Sequence, residues 1–190
     1  MVLNVTKWSR EAADLYLAWE GRPIPLVHGG GPSEEVAGLA RQPGQALFPE
    51  AASPDALLAG LLLLGGGWED AHEAAQNLDT REGSYFHAIV HRMEPEAWNA
   101  AYWFRRVGKH PIFTELSAQA EHIVAERGVA NFTAGSIWDP GAFIDFCEQA
   151  LSQPGSDMER AAIEIQRAEW ELLMEWCNQS RSSGLRLMRS

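Results

Sequence analysis

Apolar residues along this chain recur at intervals of three and four, the signature of amphipathic helices, and no stretch shows convincing strand alternation. Ala12, Leu15, Tyr16 and Trp19 share one helical face behind Ser9, which is suited to accept a hydrogen bond from an early helical N–H. Gly21 and Pro23 close this helix near Glu20. Ser33, followed by Glu34 and Glu35, opens a short helix to about Arg41, with acid at the positive end of the dipole. Ser53-Pro54-Asp55 reads as a cap followed by an N1 proline. The segment behind it, LLAGLLLLGGGWEDAHEAAQNL, carries leucine on every side and predicts a central helix covered all round, from about Pro54 to Asn77. Gly65, Gly66 and Gly67 each cost roughly 1 kcal/mol relative to alanine inside a helix. The expectation is therefore one central helix, kinked at the glycines.

The stretch Gly83 to Pro111 predicts a helix–kink–helix hairpin. Ser84 is the expected N-cap of its first helix. Pro95 disfavours helical geometry at Glu94 and suits the start of a second helix to about Val107. Gly108 stands where a left-handed cap is needed, and Pro111 marks the next start. Ile112, Leu116, Ala120, Ile123 and Val124 line a further helix closed by Gly128. Asp139-Pro140 begins another, carrying Phe143, Ile144, Cys147 and Leu151. Ser156 and Glu159 form a capping box that opens the last long helix, which runs to about Asn178 with Ile163, Trp170, Leu173, Met174 and Cys177 as its apolar stripe. The fold class is all-α: a single-domain bundle, residues 1–178, of about seven helices around a central leucine-rich one. Residues 179–190 are expected to form a flexible tail.

Composition narrows the partners. A net charge of −11 opposes general nucleic-acid binding, because a polyanion is repelled unless a local basic face overrides the field. The longest apolar run, Ala56 to Trp68, is too short to span a bilayer, and the N-terminus lacks the charged-then-apolar order of a signal peptide. A cytoplasmic location is expected. Cys147 and Cys177 fall at apolar helical positions and are expected to be buried free thiols.

The hairpin concentrates the candidate chemistry. His87 and His91 are four residues apart and lie one above the other on a helix, and Glu94 falls on the same face. Two histidines at this spacing supply two metal ligands, and a third must come from elsewhere. His72 is the first choice for it, on a helical face with Glu69, Glu73 and Gln76. The reading this supports is a divalent-ion site ligated by His72, His87 and His91, with Glu94 or Glu73 as fourth ligand or general base, and metal-assisted hydrolysis as the first reaction class. No His-Glu-x-x-His pattern is present, so the zincin arrangement is excluded. Arg92, Arg105, Arg106 and Lys109 make a local basic excess in an acidic chain. The alternative is a binding protein whose arginines hold a small anionic ligand. A third reading makes the same groups a buried structural network, the arginines pairing with Glu69, Asp70, Glu73, Glu94 and Glu96. His28 precedes three glycines, but with no strand before them and no Gly-Lys-Ser/Thr pattern this is read as a flexible connection.

The segments DAHEAAQ and EGSYFHAIVHRMEPEAWNAAYWFRRVGKHPIF together resemble a family of bacterial and fungal proteins without an assigned activity. Its members are similar in the form His-x-x-x-Gln, then Gly-Ser-Tyr/Phe-x-His-x-x-x-His-Arg-x-Glu, then Asn-x-x-Tyr-Trp-Phe-Arg-Arg-x-Gly-x-His-Pro. The resemblance covers about a quarter of the chain in its core. It implies a shared set: His72, Gln76, Ser84, His87, His91, Arg92, Glu94, Asn99, Tyr102, Trp103, Arg105, Arg106 and His110. Of these, Gln76, Ser84, Asn99, Tyr102, His110 and the three arginines are the expected ligand-binding residues. The chain departs from the pattern at Gly65–Gly67, where relatives look bulkier.

Overall fold

The computed structural model describes residues 3–29, 31, 33–94 and 96–180. Ten helices form among them: α1 (Arg10–Trp19), α2 (Glu34–Ala40), α3 (Gly44–Leu47), α4 (Pro54–Leu64), α5 (Trp68–Gln76), α6 (Arg81–Arg92), α7 (Ala97–Val107), α8 (Phe113–Glu126), α9 (Pro140–Leu151) and α10 (Asp157–Asn178). The fold is an all-α bundle, as the periodicity predicts. The sequence marks eight helical segments, and the other two helices come from the glycine break, which divides the central helix, and from the short α3, which has no strong local signal.

The caps follow the side chains that mark them. Ser9 accepts from the Ala12 N–H at 3.2 Å, Ser33 from Val36 at 3.4 Å, and Asp139 from Gly141 at 2.8 Å. At α10, Ser156 accepts from the Glu159 N–H at 3.1 Å, while the Glu159 carboxylate accepts from Gly155 rather than from Ser156. Ser84 is not a cap. The hairpin's first helix starts at Arg81 behind Thr80, whose hydroxyl accepts from the Gly83 N–H at 3.0 Å, and Ser84 is buried inside it. Gly108 has the positive φ expected of it, 62°.

Every residue of α4 except Asp55 is buried, and α2, α3, α5, α6 and α10 all pack against it. It is the leucine-rich centre that the pattern predicts. It does not run on to Asn77. The chain breaks at Gly65–Gly67 because neighbouring segments occupy the space that side chains would need. A Cβ on Gly65 would lie 2.6 Å from Val36 and 2.7 Å from the Trp19 ring, and Gly66 turns the chain with φ +86°. The second half of the expected helix becomes α5, leaving at a new angle to meet α6.

Both cysteines are buried and unpaired. Burial pushes the Cys147 thiol up to about 12 and raises the Cys177 thiol well above its ordinary value, so neither is a ready nucleophile. At the end of α10, the Gln179 carbonyl accepts from the Ala52 N–H at 2.8 Å and Ser180 bridges Ala51. The first two residues of the expected tail are therefore held, and residues 181–190 lie outside the described ones, as does the kink position Pro95. No helix among the described residues is long and apolar enough to cross a membrane.

Candidate metal centre

α5 and α6 bring three imidazoles to one point. The Nε2 atoms of His87 and His72 are 3.0 Å apart, and those of His91 and His87 are also 3.0 Å apart. The His72 and His91 rings stand nearly perpendicular with centroids 5.0 Å apart. His87 and His91 are buried and His72 is half-buried. A single N–H on His87 Nε2 can point at only one of its two neighbours, so a proton does not satisfy this arrangement. The three residues could hold a cation instead: ligand nitrogens at about 2.0–2.1 Å from a tetrahedral ion sit roughly 3.3 Å from one another, near the 3.0 Å of the His72–His87 and His87–His91 pairs.

Protonation favours the same use. Burial, then the neighbouring His91 and His72, pushes His87 down to about 3. Burial and His91 also lower His72, against the opposing pull of Glu94, Glu69 and Glu96. Both rings are thus neutral at pH 7 and keep a lone pair to donate. On the far side of His91, Nδ1 lies 3.2 Å from Glu94 Oε2 and 3.6 Å from Glu96 Oε2. A proton held on Nδ1 by that carboxylate leaves Nε2 bare toward His87. The Asn99 amide nitrogen sits 3.2 Å from both ring nitrogens of His91, hence over the ring, and 3.2 Å from Glu96 Oε2. His87 Nδ1 is buried with no hydrogen-bond partner.

Two tryptophans complete the surroundings. Trp68 stacks on His72 at 5.5 Å and 16°, its indole N–H donating to the Val90 carbonyl at 3.0 Å. Trp103 lies over His87, centroids 4.0 Å apart. His28, read from sequence as part of a flexible connection, stacks on Trp68 at 4.4 Å, and its backbone N–H donates to the Met93 carbonyl at 3.1 Å.

The other expected site residues are dispersed. The Glu94 carboxylate meets His91 from behind rather than joining the three Nε2 atoms. Glu73 is exposed one residue round from His72 and lines, with Asp70 and Leu58, a cavity of about 300 Å³ on another side of α5. It is not brought to the centre. Gln76 is exposed one turn beyond His72, and Ser84 is buried about one turn before His87. Tyr102 is 44% exposed and meets the edge of Trp103 at 5.5 Å. His110 belongs to a separate buried cluster, with Tyr85, Phe113 and Trp176 around it and Glu82 at 3.8 Å.

The arginines divide. Arg92 is buried and turned toward α10, with Nη2 donating to Glu169 and Nε donating to Gln166 Oε1 at 3.1 Å. It is committed to the core, not offered to a ligand at the three histidines. Gln166 in turn donates to the carbonyls of Ile24 and Pro25, and Tyr85 donates to Glu169 at 3.0 Å. None of the acids expected to pair with Arg92 does so. Arg105 leans on the Tyr102 ring, and Arg106 sits over Trp103 with Asp79 as its acid partner. Glu169 and Gln166 escaped the sequence reading, although an acid four residues from both Ile165 and Leu173 stands in the apolar phase of α10 and was a visible signal.

Compared with protein-family models, with curated proteins and with solved structures, the chain matches none. The site is therefore read from its own geometry.

Proposed function

We propose that this chain is a divalent-metal protein whose ion is held by Nε2 of His72, His87 and His91, and that metal-assisted hydrolysis is the first reaction class to test. The observation that carries the reading is the convergence of three imidazole nitrogens from two helices, with a carboxylate behind one of them. Three imidazole nitrogen donors suit zinc, copper, iron or nickel better than magnesium or calcium, which prefer oxygen. Three protein ligands also leave a coordination position for water or substrate, the arrangement of catalytic rather than structural zinc. A bound ion there would polarise a carbonyl and lower the pKa of a water. The protein's part is to fix the donors: Glu94 orients His91, Trp68 and Trp103 confine the rings of His72 and His87, and Glu94 with Glu96 offsets the ion's charge. Glu94 is thus a positioning residue in this reading, not the general base.

Metal analysis of protein purified without a histidine tag tests it. The expected result is close to one transition-metal ion per chain, lost in His87→Ala and His91→Ala. Protein that carries none, and whose melting temperature does not move with zinc, manganese, nickel or iron, would remove the reading.

A further inference from the structure

We infer that the centre takes a small substrate with an anionic end, a carboxylate or phosphate group, and that Arg106 binds that end; the inference rests on the metal-centre reading above. α7 carries Asn99, Trp103 and Arg106 at successive turns of one face. Asn99 reaches His91, the Trp103 ring lies 4.0 Å from the His87 ring, and the Arg106 guanidinium carbon lies 5.1 Å from the Trp103 ring. The Trp103 ring thus touches both the His87 ring and the Arg106 guanidinium, and these two contacts are what link Arg106 to the centre.

The other charges give this link a direction. Glu94 and Glu96 gather at the opposite end, behind His91, and repel an anion there. Arg92 is buried against Glu169 and Gln166 and Arg105 turns to Tyr102, whereas Arg106 lies over Trp103. Its side chain is 45% exposed and its acid partner, Asp79, is fully exposed at 3.4 Å. An exposed pair at that distance contributes little, so an oxyanion arriving in the bidentate geometry of a guanidinium displaces it readily. In a chain of net charge −11, a cation beside the site also lessens the repulsion that an arriving anion meets. The linker of such a substrate would lie against the indole between the two ends.

Cobalt(II)-loaded protein tests this, because its visible spectrum reports ligands entering the coordination sphere whether or not any turnover is seen. Two hydroxamates with the same metal-binding head are titrated: butyrohydroxamate, with a neutral tail, and succinate monohydroxamate, with a carboxylate tail. A phosphonate-tailed counterpart separates the two oxyanion classes. The carboxylate or phosphonate tail is expected to bind about twofold to fivefold tighter than the neutral one, the range of one partly exposed charge pair. Arg106→Ala should abolish that preference without changing cobalt affinity, Arg106→Lys should keep part of it, and Asp79→Asn should increase it. Equal affinities in the parent protein, or a preference that survives Arg106→Ala, would overturn the anion subsite while leaving the metal centre standing. Absence of any cobalt spectrum would overturn both.

Discussion

His91 is held from both sides: Nδ1 lies 3.2 Å from the Glu94 carboxylate, and Nε2 lies 3.0 Å from Nε2 of His87. A carboxylate on one ring nitrogen fixes the tautomer and raises the donor strength of the other. Glu94→Gln keeps the shape but supplies an amide that no longer demands the proton on Nδ1. The expected outcome is a loss of about 10–100-fold in zinc affinity, measured by chelator competition, with a circular dichroism spectrum unchanged from the parent. Affinity within a factor of two of the parent would show that Glu94 serves only the surface of the corner.

His87 gives the metal-free protein a specific weakness to acid. Its folded-state pKa is pushed down to about 3 by burial and by the neighbouring His91 and His72, whereas in the unfolded chain it titrates near the ordinary 6.5. Between those values the unfolded state binds the extra proton and the folded state does not, so stability falls as pH falls through this window. Urea midpoints of metal-free protein should therefore drop from about pH 7 to pH 4, and the slope should be shallower in His87→Gln. Bound metal should preserve the midpoint near pH 6, because a ligated nitrogen is not free to take the proton. A parallel pH dependence for His87→Gln and parent would place the acid sensitivity elsewhere.

Gly60 lies where α4 meets α6 and α10. Its carbonyl accepts from the Trp170 indole at 2.9 Å, and a Cβ added there would stand 2.7 Å from the Phe86 ring. Alanine is the better helix former, yet here its methyl would have to displace the Met174 sulfur and the Phe86 ring. Gly60→Ala should destabilise by about 1–3 kcal/mol in denaturant titration, against the intrinsic preference for alanine. A stabilised variant would mean that α10 yields without cost.

Helix starts were legible because a cap is a local event: Ser9, Ser33, Asp139 and Ser156 each need only a backbone N–H two or three residues on. Thr80 was missed because Ser84, four residues on, offered an equally good capping hydroxyl; Gly83 between them is a helical residue packed against Leu78, its added Cβ 2.9 Å from the Leu78 carbonyl. The break at Gly65–Gly67 depends on Trp19 and Val36, which arrive from other segments, and no local pattern contains them. For the site, the four-residue spacing of His87 and His91 was readable, and the angle at which α5 returns to present His72 was not. The roles of Glu94 and Glu73 turn on which side of a ring or helix a carboxylate reaches, a matter of a single residue's rotation. Arg92 went wrong for a further reason: its partner is 77 residues away on α10.

That pair offers the sharpest stability test. Arg92 and Glu169 are almost wholly buried, at 2% and 0% side-chain exposure. Burial works against the charge on Arg92, and Glu169 beside it more than compensates, raising its pKa. Tyr85 and Gln166 satisfy the remaining carboxylate oxygen and the Nε donor, while Nη1 has no partner. Removing one charge strands the other in a medium that cannot solvate it, at a cost of about 3–5 kcal/mol. Removing both leaves only the lost hydrogen bonds and any imperfect packing. Glu169→Gln and Arg92→Met should each therefore lower the melting temperature sharply, and the double variant should fall by clearly less than the two losses added. Simple additivity in that cycle would mean that the two side chains contribute independently and that the buried pair does not hold α6 to α10.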